Sequence, residues 1–243
     1  MTDCVKSIPH KVKLVFTVVF ALFFFHSKAQ PRYNDGILDT LEKIAASNNQ
    51  SAHFARLYHN AIEKTNEYAR DQSGNVQQFI FGFETAFSQR FIKANGHFVN
   101  HEPQDFSWQY YYSDTAMSEL QYQFIGMNAH INGDMWQALK EKYGYDTLKK
   151  YRKPLIRFQR ALNVFFDSIY STTATYKKIG RLHQYTLGLD KVVGRKMVLN
   201  WRKRQVKLAM LFYSKPRKCA RKWRQLQKNM LRWDRRSTHW MKA

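Results

Sequence analysis

Apolar side chains recur along this chain at steps of three and four, the spacing that gathers them on one side of an α-helix. Ile37, Leu38, Leu41 and Ile44 mark a first short amphipathic helix. Ser51, a good N-cap, precedes Phe54, Leu57, Tyr58, Ala61, Ile62 and Thr65, which carry a second helix to about Arg70 before the turn at 71–75. Asn75 caps a third, whose Phe79, Ile80, Phe83, Ala86, Phe87 and Phe91 form an aromatic stripe ending at Asn95-Gly96. Pro103 and the polar residues between His97 and Asp114 predict a loop or short helix across the end of the bundle. A helix then starts at Ser113 or Asp114 and runs to about Lys142, with Gly144 as its stop. Asp146 begins another, lined by Leu155, Phe158, Leu162, Phe165, Phe166 and Ile169, in which Pro154 forces a break or a kink. Gly180, Gly188 and Gly194 predict an irregular connection beyond Thr173. A helix resumes near Lys196 and reaches Tyr213, and Pro216 opens a last one with Leu226, Met230 and Trp233 as its seam. No stretch alternates with period two between hairpin turns. The fold class is therefore all-α: a single multi-helix bundle of about six to eight helices, with basic C-terminal helices and no sheet.

One stretch departs from ordinary amphipathic patterning. In Phe124-Ile-Gly-Met-Asn-Ala-His-Ile-Asn-Gly-Asp-Met-Trp136, Asn128 and Asn132 share one face of a helix while His130 and Asp134 share nearly the opposite one. Ile125, Met127, Ile131 and Met135 fill the gap. Such a helix is a central element contacted on several sides, whose amides and imidazole must find partners. Its surroundings agree: the chain holds 40 Lys and Arg in 243 residues, yet none lies between Ala94 and Leu139, while Glu102, Asp105, Asp114, Glu119 and three histidines do.

Charge and the chain ends sharpen the class. The formal net charge is +22, and 18 of the 40 basic residues lie from Lys191 onward, against Asp234 as the single acid there. Lys11 and Lys13 precede the apolar run Leu14 to Phe25, which is too short for a comfortable span of about 20 residues. Small residues follow at Ser27 and Ala29. This is the pattern of a secretory signal cleaved after Ala29, or of a retained anchor, and it makes the chain an exported protein. The division expected is 1–29 signal peptide, 30–213 helical domain carrying the central motif, and 214–243 a basic, tryptophan-containing helix packed on it or extending from it. Cys219 is then the only cysteine left, so no internal disulfide forms and stability comes from packing.

At Gly126-Met-Asn-Ala-His-Ile-Asn-Gly-Asp-Met135 the chain resembles the bacterial family of unknown function numbered 5995, whose hallmark is a Gly-Met-Asn-Ala-His-Ile-Asn-x-Asp-Leu core. Phe54-Ala-Arg-Leu-Tyr58, Phe87-Ser-Gln-Arg-Phe91, Trp108 and Trp201-Arg-Lys-Arg204 fall in the family's order, and the resemblance covers most of the mature chain. It implies an all-helical fold and no particular reaction. After the core this copy departs from the family pattern: Arg157-Phe158 and Leu162-Asn163 stand where an acid near a Phe and an Ile-Asn pair are expected. His-Ile-Asn-Gly-Asp is also similar to the His-x-x-x-Asp ligand element of secreted zinc phospholipases C and single-strand nucleases, although those enzymes begin with tryptophan and cleavage here exposes Gln30.

The candidate chemistry follows from spacing. His130 and Asp134, at i and i+4, can point at one divalent metal such as zinc, or Asp134 can accept the imidazole N–H and fix its tautomer, structurally or for acid–base use. His53, His59, His97, His101 and His183 are the further nitrogen ligands at hand. Asn128 and Asn132 orient a substrate or water, or else cross-link helices. Arg202, Lys203, Arg204, Arg221, Lys222, Trp223 and Trp233 interleave charge with indole, which suits an anionic lipid surface or a phosphate-bearing substrate ahead of nucleic acid. Two functions stay open: an exported hydrolase, phosphoesterase-like and metal-dependent, built on His130, Asp134, Asn128 and Asn132, or a non-catalytic envelope protein whose basic end binds anionic membrane or other polyanions.

Overall fold

The computed structural model describes residues 34–113, 116–173 and 189–242, with side chains described outside 163–190 and 240–243. The expected signal segment, Asp114, His183 and the connection at 174–188 lie outside the described residues, as do the side chains of Asn163, Phe165, Phe166, Ile169 and Trp240. Among the described residues every element is helical: α1 (Asp35–Ala45), α2 (Ser51–Arg70), α3 (Gly74–Val99), α4 (Phe106–Ser113), α5 (Glu119–Asn128), a π-helical segment (Ala129–Asp134), α6 (Met135–Lys142), α7 (Tyr145–Thr173), α8 (Leu189–Ser214) and α9 (Pro216–Lys242). The all-α reading is met.

α5, the π segment and α6 follow without interruption and form the rod around which the rest is built. Every residue from Ile125 to Trp136 is buried. On one side Phe79, Phe83 and Leu139 join Leu148 and Phe158 of α7 and Ala209 of α8. On the other, Leu41, Ile62, Phe91, Trp108 and Tyr111 from α1 to α4 close on Tyr122 and Ile125. Two glycines permit this crowding. A Cβ on Gly126 would lie 2.5 Å from the Phe54 ring, and one on Gly133 would collide with both the Oγ and the Cβ of Ser107.

Several boundaries differ from the periodicity reading for local reasons. The rod starts at Glu119 rather than at 113–114, because Ser118 and Gln121 form a reciprocal capping box there. α3 continues past Asn95-Gly96 to Val99, since buried Ala94 and partly buried Phe98 still pack against α1, α2 and α4. Pro154 sits inside α7 and does not break it. α8 begins at Leu189, seven residues before the expected start, and runs through Gly194. Helix α9 turns Cys219, Leu226, Met230, Asp234 and Thr238 inward, the three- and four-residue rhythm of its seam, and packs along α8 and the rod.

Candidate functional site

The π segment carries the polar core, and π turns inside α-helices are frequent at functional sites. Asp134 is reached by three donors: Trp108 Nε1 at 2.8 Å and His130 Nδ1 at 3.0 Å share its Oδ2, and Arg90 Nε lies 3.2 Å from Oδ1. Because the carboxylate only accepts, His130 must present its N–H at Nδ1, which leaves the lone pair on Nε2. Arg90 is shared outward with Glu141 at 3.1 Å and Asp105 at 3.2 Å. Burial works against its charge, but Asp134, Glu141 and Asp105 together hold its pKa above the usual value.

His130 sits in an aromatic box. Phe87 stacks on it at 3.6 Å, Tyr58 meets it edge-on at 4.5 Å, and Phe54 and Trp108 close the remaining sides. Burial lowers its pKa, more than the bond to Asp134 raises it, so the imidazole is neutral at pH 7. Its Nε2 is buried and has no hydrogen-bond partner.

A cavity of about 60 Å³ adjoins the ring, walled mainly by Phe54, Leu57, Met127, Ile131 and Leu162. Its polar groups are few: His130, Glu84, Tyr58, Thr65, Gln159 and Arg202. Glu84 is 3% exposed, and burial pushes its carboxyl up to about 8 against the pull of Arg202, so it is mostly protonated at pH 7. Tyr58 exchanges a hydrogen bond with Ser88 at 2.8 Å, and burial holds its phenol well above the ordinary range. A neutral imidazole and a largely protonated carboxyl therefore line one cavity.

The other expected residues fall elsewhere. Asn132 donates to Asn128 Oδ1 at 2.8 Å, Asn128 to Asp234 at 2.8 Å, and Gln205 to Asn132 Oδ1 at 3.1 Å. This chain of amides ties the rod to α8 and α9 and is not part of the cavity wall. His53 stacks on Tyr122, His59 lies beside Glu63, His97 beside Glu102, and His101 is exposed. Among the described residues no three His, Cys, Asp or Glu side chains gather as a metal site. Asp134 accepts from Trp108, His130 and Arg90, and among the described residues the carboxylate and imidazole donors lining the cavity are His130 and Glu84, fewer than the three or four protein ligands zinc takes. Lys203, Arg204, Arg221 and Lys222 are exposed, whereas Arg202 lines the cavity. Trp223 packs on Trp136 and Trp233 on Trp201, toward the bundle.

Glu84, Tyr58 and Arg90 were not singled out from sequence. Their signal was an acid on the edge of the phenylalanine stripe of α3, and an arginine just outside the stretch that lacks basic residues. A family model described as a family of unknown function, DUF5995, matches residues 35–236. The chain belongs to this family. The DUF5995 match begins with α1 and ends in α9, and so takes in the rod, the cavity and the helices that enclose them. No curated protein and no solved structure matches the chain.

Proposed function

We propose that this DUF5995 chain is an acid–base hydrolase acting on a small molecule in the cavity beside His130. Asp134 holds the imidazole in its Nδ1–H tautomer, Nε2 takes a proton from the attacking water, and Glu84 returns one to the leaving group. The observation that carries the reading is the unpartnered Nε2, buried at a cavity shared with a protonated carboxyl. A general base of this kind contributes about 10²- to 10⁴-fold. The test is a panel of small chromogenic esters, amides and phosphoesters, run with and without chelator. Turnover should rise with pH below 6.5 as His130 loses its proton, fall near 8 as Glu84 loses its own, and drop at least a hundredfold in His130→Asn. No turnover across the panel, or full activity in His130→Asn, would overturn the assignment. Loss of activity on chelation would restore the metal-dependent form, with His130 Nε2 as one ligand and Asp134 behind it.

A second reading is favoured by α9, whose exposed side presents Arg217, Lys218, Arg221, Lys222, Arg224 and Lys228. This face is proposed to adsorb to anionic lipid by charge. Export belongs to the same proposal: secreted protein should begin at Gln30, and a start at Met1 would refute cleavage.

A further inference from the structure

Among the described residues Arg202 is the one cation lining the cavity. Its Nη1 donates to Gln159 Oε1 at 2.7 Å, while its Nε is buried without a partner. Among the described residues no carboxylate lies within ion-pairing distance of it. Glu84, the acid across the cavity, is held mostly protonated, and burial lowers the pKa of Arg202 itself. A buried guanidinium N–H without an acceptor is costly, and an arriving anion removes that cost. Stereochemistry narrows the anion. With Nη1 committed to Gln159, the free edge is the one bearing Nε and Nη2, a fork that matches the two oxygens of a carboxylate.

We propose that the cavity binds a short aliphatic monocarboxylate, its oxygens on the Nε edge of Arg202 and its alkyl tail against Leu57, Ile131 and Leu162. This deepens the hydrolase reading by naming the end of the substrate or product that the protein holds. The protonated Glu84 can donate a further hydrogen bond to the bound carboxylate. Size agrees, since about 60 Å³ accommodates roughly four water-sized groups, the scale of acetate to butyrate. A phosphate dianion fits less well: it would face one cation and apolar walls, with a second charge unpaired.

The experiment is calorimetric and thermal-shift titration of the whole chain at pH 6.5 and constant ionic strength. Acetate, propionate and butyrate are the probes, with chloride and inorganic phosphate alongside. Propionate should bind saturably. Affinity should fall at least tenfold in Arg202→Lys, which keeps the charge and loses the fork, and also in Ala61→Leu, which narrows the cavity without touching the charge. Binding is read without any turnover, so that failed catalysis and failed binding are told apart. Absence of saturable binding by any monocarboxylate, tighter binding of phosphate, or wild-type affinity in both Arg202→Lys and Ala61→Leu would overturn the proposal.

Discussion

Gly133 is where a single carbon decides whether α4 can reach the rod. An alanine there would meet the Oγ and the rigid Cβ of Ser107, so α4 would have to retreat, carrying the Trp108 indole away from Asp134. Gly133→Ala should cost about 1–3 kcal/mol in urea unfolding, and Ser107→Gly in the same chain should recover most of it. Recovery by Ser107→Ala alone would show that only the hydroxyl is in the way. At this scale the pairing of His130 with Asp134 was legible, because i and i+4 on a helix meet whatever surrounds them. The direction each ring nitrogen faces was not. It depends on Trp108 and Arg90, which arrive from α4 and α3 and which no local spacing relates to Asp134. Glu84 was hidden for the converse reason: on α3 it stands within a run of phenylalanines, and nothing local distinguishes a buried acid from a solvated one.

Between the rod and α9 the amide chain ends on a buried carboxyl. Asp234 is 3% exposed, and burial raises it to about 7 although Asn128 donates to it. In the unfolded chain it releases its proton near the ordinary value of 3.8. Its contribution is therefore fully present below about pH 4 and is lost as pH climbs through 7, by an amount on the order of 4 kcal/mol. Glu84 acts in the same sense up to about 8. His130, kept neutral by burial, acts oppositely and costs stability as pH falls below 6.5. Asp234→Asn keeps the acceptor for Asn128 and cannot ionise. Its melting temperature should exceed that of the wild type at pH 8 and converge with it near pH 4; equal melting temperatures at pH 8 would contradict the buried charge. The polar faces of the rod announced that partners were needed, yet the π turn inside it left no trace in the spacing, since it is a matter of backbone hydrogen bonding. Pro154 left a break and a kink open, and α7 runs through it as one continuous helix.

Seen whole, the basic C-terminal helix is structural on one side and charged on the other. Met230 O and Asp234 bond Asn128, Thr238 O accepts from Gln121, and Cys219, Leu226 and Met230 enter the core. Removing residues 214–243 should abolish cooperative unfolding, whereas Arg221→Glu with Lys222→Glu, both exposed, should leave it intact. In co-sedimentation the double charge reversal should weaken salt-sensitive binding to anionic vesicles, with tryptophan emission unchanged because Trp201, Trp223 and Trp233 face the bundle. Equal pelleting with neutral vesicles would rule that binding out. The sheathing of Ile125 to Trp136 by neighbours on all sides carries a further consequence in time. Backbone amides along this span should be the last to take up deuterium, exchanging only when the entire domain opens.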